Sequence, residues 1–219
     1  MKYKLLAVDI DGTLLNSCSQ LTPATIAAVK KAQERGIKVV LATGRRLGNT
    51  MPLAEALGVR EPMVLHNGGV VADPIGRRPL YQTGICPDLA VEILDKLSAL
   101  PVNYLVYSGE SAGERVLAAS GSWQEPEDLL THYLGEAAEF VPRVEITSPP
   151  VRFAIIDRPE KVDPLYEELR RDYAGRLSAL LFGAKGDDWR GIEILPAHCS
   201  KGWGVAHVAE RLGIPPEQT

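Results

Sequence analysis

The chain has little of what would mark several common functions. Its three cysteines, Cys18, Cys86 and Cys199, lie far apart in 219 residues. That spacing fits neither a disulfide framework nor a zinc pattern, so they read as ordinary thiols of a reducing cytoplasm. No apolar run is long enough to span a membrane, and Met1-Lys2-Tyr3-Lys4 lacks the layout of a signal peptide. Neither a basic stripe nor a charged tail is present. The 24 Lys and Arg and 28 Asp and Glu are mixed along the chain, for a net charge of −4, which argues against a nucleic acid as partner. Repeats and low-complexity segments are lacking, and Trp123, Trp189 and Trp203 show no spacing that would make a stacking platform. What the chain does have is apolar material: 45% of residues are hydrophobic, enough for one large or two small cores.

The richest stretch is Ala7-Val8-Asp9-Ile10-Asp11-Gly12-Thr13-Leu14. The short apolar run before it suits a buried parallel strand. Two carboxylates, one residue apart, stand where that strand should stop. In extended chain Asp9 and Asp11 share one face, so a single cation could neutralise both. Gly12 permits a sharp turn that aims N–H groups at an anion. An Asp-Gly turn closing a strand is the plainer alternative. Next, Thr22-Pro23 and residues 24–35 read as a capped helix ended by Gly36. Residues 37–42 then form a second buried strand, closed by Thr43-Gly44-Arg45. Such a strand–helix–strand unit makes neighbouring parallel strands, and ligands bind beyond their carboxyl ends. Thr-Gly at a strand end is by itself only a turn; here its position puts Thr43 at the same crevice as Asp9. Residues 46–57 read as a helix that Pro52 must kink or delay to near Thr50. A third strand at 62–65 ends in His66-Asn67-Gly68-Gly69, a tight-turn signal before a hairpin over residues 70–81.

Residues 84–190 keep mixing helices and strands, yet no strand there ends in a recognisable catalytic group. Residues 87–100 show a one-faced helix, 102–107 a half-exposed strand and 115–118 a further strand. Glu125-Pro126-Glu127-Asp128 is an acidic helix start. Strands at 151–156 and 177–182 flank a helix over 159–173. Asp187-Asp188 reads as a solvated turn or as a loop that touches substrate. Residues 191–196 read as a strand returning to the first domain. Ser200-Lys201 then open a helix whose apolar face is Val205, Val208, Ala209 and Leu212.

Taken together, Asp9-Ile10-Asp11-Gly12-Thr13, Thr43-Gly44 and Lys201 resemble the first three motifs of the haloacid dehalogenase superfamily, in its Cof-type branch. The resemblance implies an α/β fold: a doubly wound, mainly parallel Rossmann-like core (residues 1–83 and 191–219) with an inserted α/β cap (84–190) that closes over the active site. It also implies a Mg²⁺-dependent phosphatase of a small phosphorylated metabolite, working through an aspartyl-phosphate. Asp9 would be the nucleophile and Asp11 the acid and base, with both at the metal. Ile10, Gly12, Thr43, Gly44 and Lys201 would hold phosphate, and Arg45 and Asn67 are candidates for substrate contact. Arg45 reads equally as a surface cap, and Asn67 reads first as a turn former. A phosphomutase and a catalytically silent phosphometabolite-binding module are the alternatives.

The family's fourth motif, Gly-Asp with a further Asp, has no counterpart before Thr219. The core sheet is therefore expected to be incomplete, with Leu5 to Val8 along an exposed edge. A truncated form of a longer protein, expected to be weak or inactive by itself, would account for this. A short natural variant, or a sheet completed by another chain, would do so as well; the oligomeric state is open.

Overall fold

The apolar run after Tyr3 forms β1 (Leu5–Val8), which pairs in parallel with β2 (Lys38–Leu41) in the register Leu5 to Lys38. The crossover between them is α1 (Pro23–Glu34). Its start follows from local chemistry: Thr22 Oγ1 accepts from the Thr25 N–H at 3.1 Å, and Pro23 occupies the first turn, where no N–H is needed. The computed structural model describes residues 2–108, 114–120, 138–183 and 188–219.

α2 (Leu47–Ala56) runs through Pro52 and begins three residues before Thr50. Both the N–H and the hydroxyl of Thr50 donate to the Arg46 carbonyl, at 3.1 and 2.8 Å, which secures the turn that precedes the proline. β3 (Met63–Leu65) touches β2 through one parallel bridge, Ala42 to Val64. It continues as an antiparallel meander into β4 (Val70–Asp73) and β5 (Arg78–Gln82). These elements belong to one compact unit, Met1–Gln82 with Cys199–Thr219.

The last helix of the chain lies in this unit too. Its Val208 and Ala209, with Ile214 after it, pack on Leu5, Val40, Ala42, Val64 and Val71. Val39 and Leu41 are equally buried and alternate to the opposite face, and α1 packs against β2. Trp203 lies 4.1 Å from the His207 ring and 5.3 Å from Tyr81, tying β5 to that helix. Among the described residues β1 pairs with β2 alone, and Leu6 is 42% exposed.

The second unit, Thr83–His198, has its own six-stranded sheet. Its strands are β6 (Tyr104–Tyr107), β7 (Val116–Ala119), β8 (Ala138–Val141), β9 (Arg152–Asp157), β10 (Leu177–Phe182) and β11 (Arg190–Pro196). They lie in the order β10-β11-β9-β6-β7-β8, antiparallel except for the β7–β8 pair. Two helices, α3 (Pro87–Ser98) and α4 (Pro159–Asp172), bury Leu89, Ile93, Leu97, Val162, Leu165 and Leu169 against one sheet face. Leu105, Tyr107, Val116, Ala118, Ala154 and Ile156 cluster on the other.

Three departures from the sequence reading have physical causes. The strand at 191–196 does not return to the first unit; β11 is hydrogen-bonded between β9 and β10. Its residues alternate: Ile192 and Ile194 face the helices, while Gly191 and Glu193 face away. Both faces are buried, but the far one carries a charge, Glu193 beside Arg152, and such an apolar–charged alternation suits an antiparallel strand. The crossing back therefore falls at residues 198–199 instead of 190–191. β6, expected to be half-exposed, is buried along its whole length, because both faces of this sheet carry apolar clusters. β8 has no counterpart in the sequence reading: its Glu139 and Phe140 are exposed, and no buried run announces it. Trp123, Asp187 and the helix expected from Glu125 lie outside the described residues.

Candidate active site

Two strand ends and one helix start build the site in the first unit. After β1 the backbone is still extended at Asp9 and then coils in a wide turn over Ile10–Leu14, closed by the Leu15 N–H on the Ile10 carbonyl at 3.1 Å. Gly12 takes φ +71° there, which a glycine allows without strain. The Asp9 carboxylate is held from two sides. Its Oδ1 accepts from the Ile10 N–H at 2.8 Å, and its Oδ2 lies 2.8 Å from the Lys201 Nζ. Positions 9 and 201 thus converge, as the sequence motifs require.

Lys201 is the first residue of α5 (Lys201–Arg211). Ser200 caps this helix, its Oγ accepting from the Trp203 N–H at 3.0 Å. Both Lys201 and Asp9 are a little over one-third exposed. Their pair is therefore open to an incoming anion.

Thr43, 1% exposed, follows β2 and is fixed by three hydrogen bonds. Its N–H donates to the Val64 carbonyl at 2.9 Å, its carbonyl accepts from the Asn67 N–H at 3.0 Å, and its Oγ1 accepts from the Arg45 N–H at 3.1 Å. Since the Ala42 N–H bonds the Val8 carbonyl, the chain enters Thr43 directly beside the end of β1. Arg45 then reaches across to Asp11 with a fork, Nε to Oδ2 at 2.9 Å and Nη2 to Oδ1 at 2.6 Å. The hydrogen bond to Asp11 raises the Arg45 pKa, partly opposed by burial, and the charges of Asp11 and Asp9 add to the rise.

Asn67 stands against the second motif. A side chain at position 44 would place its Cβ 3.0 Å from the Asn67 Nδ2, so the carboxamide packs tightly on Gly44 and would have to give by a few tenths of an ångström. Asn67 is at the same time a turn former, with φ +50°. Beside the two readings of Arg45 that the sequence leaves open, the structure shows a third: the guanidinium is engaged by Asp11.

Sequence reasoning missed the contacts that hold α5 in place. A Cβ on Gly68 would fall 2.1 Å from the Ser200 carbonyl oxygen, and one on Gly204 would fall 2.4 Å from Val64 Cγ1. An isolated glycine inside a helical pattern, such as Gly204, is the available signal of close approach. Cys199, just before the cap, is buried, and burial pushes its thiol up to about 11. In the second unit Asp188 is exposed, and Trp189 packs edge-on against Phe182 at 6.0 Å. No helix of the described residues is long and apolar enough to cross a membrane.

The chain is similar to proteins whose names agree with this arrangement. It is 30% identical over 220 residues to the HMP-PP phosphatase of Serratia proteamaculans, covering 97% of this chain and 74% of the relative. Over 108 residues it is 39% identical to phosphatase YwpJ of Bacillus subtilis, covering 49% of this chain and 38% of that one. Among solved structures, a haloacid dehalogenase-like hydrolase from B. subtilis superposes with a TM-score of 0.77 at 25% identity, covering 97% of this chain and 80% of the other. Residues 6–219 match the family described as haloacid dehalogenase-like hydrolase, and the chain belongs to that family.

Proposed function

We propose that the chain is a phosphatase for a small phosphorylated metabolite, with Asp9 as nucleophile. The observation that carries this reading is the Lys201 ammonium 2.8 Å from the Asp9 carboxylate. A cation there keeps Asp9 ionised and neutralises phosphate charge as it shifts in the transition state. Asp9 attacks phosphorus in line. The P–O bond to the alcohol breaks, an aspartyl-phosphate forms, and the leaving oxygen takes a proton from Asp11. In the second half Asp11 accepts a proton from water, which attacks phosphorus and releases Asp9 and inorganic phosphate. The Thr43 hydroxyl, the N–H groups of Gly12 and Gly44, and Lys201 hold phosphoryl oxygens, joined by the Ile10 N–H once it turns from the Asp9 Oδ1 it now serves; positioning and charge supply most of such catalysis.

Arg45 has a part of its own in this reading. Its pair with Asp11 involves side chains 30% and 58% exposed, and such pairs contribute only about 0–1 kcal/mol. An entering phosphate dianion can therefore draw Arg45 away and leave Asp11 to act as acid.

Magnesium is the cation proposed. Asp9, over one-third exposed, would offer a carboxylate oxygen and Asp11 its backbone carbonyl oxygen, which leaves the Asp11 carboxylate to act as acid and base. Such a donor set fits a hard ion that is held by one or two carboxylates and fills its shell with phosphate and water. When bound, the ion would neutralise phosphate charge.

A panel of sugar phosphates, nucleotides and flavin phosphate, assayed with millimolar Mg²⁺, tests the proposal. The expected result is release of inorganic phosphate from at least one ester, reduced about 10⁴-fold or more in Asp9→Asn. Isomerised product without free phosphate would make the chain a mutase, and hydrolysis that survives Asp9→Asn would refute the assignment.

A further inference from the structure

Three successive residues after β3 have left-handed backbone: His66 at φ +48°, Asn67 at +50° and Gly68 at +102°. Only the last is a glycine. Single left-handed Asn or His residues are uncommon and runs of them rarer, and His66 is 1% exposed, so no solvent-side freedom explains the conformation. Strain kept in one place is a reason to ask what it holds.

This turn touches both halves of the phosphate grip. On one side the His66 N–H donates to the Arg45 carbonyl at 3.1 Å and the Asn67 N–H to the Thr43 carbonyl at 3.0 Å. On the other side Gly68 lies against the Ser200 carbonyl so closely that a Cβ would come within 2.1 Å of its oxygen. That carbonyl accepts from the Gly204 N–H at 3.0 Å, and Ser200 is the cap from which Lys201 begins. A ring of contacts therefore closes around the site. It runs from Asp9 to Lys201, through Ser200 and Gly68 to Asn67 and Thr43, and through Arg45 to Asp11.

We infer that the His66–Gly68 turn is a positioning element, which through its left-handed backbone sets the separation of Lys201 from Thr43 and Gly44. A relaxed turn would swing position 68 off Ser200 and release the helix start that carries the lysine. The inference rests on the proposed roles of Asp9, Thr43 and Lys201. It differs from a substrate contact by Asn67 in one respect: the backbone conformation matters, and the carboxamide does not.

Substitutions that separate backbone from side chain decide the matter. Asn67→Gly removes the carboxamide and favours the left-handed conformation. Asn67→Val removes it and opposes that conformation, and Gly68→Ala puts a methyl against Ser200. Two readouts are compared in each purified protein: inorganic phosphate affinity by calorimetry with millimolar Mg²⁺, and kcat/KM on p-nitrophenyl phosphate. Thermal melts give the folded fraction. Asn67→Gly is expected to stay within about threefold of the unaltered chain in both readouts, while Asn67→Val and Gly68→Ala lose about 10- to 100-fold per folded molecule. Equal losses in Asn67→Gly and Asn67→Val overturn the positioning role in favour of a side-chain contact. Losses that only follow the unfolded fraction overturn it in favour of a plain stability role. An unaltered chain that neither binds phosphate nor cleaves the ester, or an Asp9→Asn variant that still turns over, overturns the site assignment itself.

Discussion

Each unit of this protein contains a close ion pair, and the two pairs are built for opposite ends. In the first unit Lys201 and Asp9 are 37% and 38% exposed, and each is anchored by the local start of an element: a capped helix and a strand end. In the second unit Arg152 and Glu193 are 4% and 7% exposed, on the sheet face away from the helices. The Arg152 guanidinium also lies 4.0 Å from the centre of the Tyr107 ring. Burial raises the Tyr107 hydroxyl pKa while the Arg152 charge works against that rise. A half-exposed pair contributes little to stability but can exchange partners with a charged ligand. A buried pair cannot exchange, and its two charges depend on each other for having left water at all. The same chemistry thus serves as a dissociable grip in one unit and as a fixed strut in the other.

Breaking the strut should give the largest effect. Arg152→Met removes the cation that faces the buried Glu193 and is expected to cost about 3–5 kcal/mol of stability. Arg152→Met with Glu193→Leu, which removes both charges, should recover most of that loss. Denaturant unfolding monitored by tryptophan fluorescence checks both. Turnover per folded molecule should stay near that of the unaltered chain. If activity fell with stability intact, the buried pair would belong to substrate recognition and the contrast drawn above would fail.

The grip should behave in the reverse manner. Lys201→Met is expected to lower kcat/KM by about 10²–10³-fold, the usual result of removing one preorganised charge from a transition state. Its effect on unfolding should be no more than about 1 kcal/mol, because the pair is half open to water. Steady-state kinetics beside thermal melts of the same preparation measure the two quantities. Lys201→Arg sharpens the point. It keeps the charge but changes the reach and geometry, so partial activity would mean that charge outweighs position at this atom.

Much of this arrangement is legible in the amino-acid sequence, and the reasons differ by residue. Asp9, Thr43 and Lys201 stand out because each follows or opens an element whose end is written in the chain: a continuous apolar strand for the first two, a Ser cap for the third. Asp9 and Thr43 share a crevice by one rule of parallel sheets, whereas Lys201 reaches Asp9 through the packing of α5 on β3, which no strand end announces. Arg45 is visible, but its partner is not, since a long side chain reaches several sites from one backbone position. Gly68 reads only as part of a turn and Gly204 only as a lone glycine in a helix, because the partner of a close approach is a segment remote in sequence. The return strand is misplaced for a different reason. Gly-Ile-Glu-Ile-Leu is apolar enough to pass for a buried parallel strand, and only its alternation, with Glu193 paired by Arg152, puts it in the antiparallel sheet.

Cys199 carries the smallest expected effect and isolates what burial does with no opposing charge. The residue is 4% exposed, and burial alone moves its thiol from the ordinary value of 9.0 to about 11. The neutral thiol is the form that the fold accepts. Below pH 9 folded and unfolded chains both carry it, and the stability that goes with this burial is present in full. Between about 9 and 11 the unfolded chain loses the proton while the folded chain keeps it, so stability falls as pH rises through that window. The stability difference between the unaltered chain and Cys199→Ala, which has no proton to lose, measured by denaturant unfolding, should therefore shift in favour of the variant above pH 9, by an amount of order 1 kcal/mol. A thiol reagent at neutral pH offers an independent reading: Cys18 and Cys86 are exposed and should react at once, and Cys199 only on unfolding. Had an acid or base stood beside Cys199, as Lys201 stands beside Asp9, the window would move with that charge. A pH dependence starting well below 9 would show that burial is not acting alone.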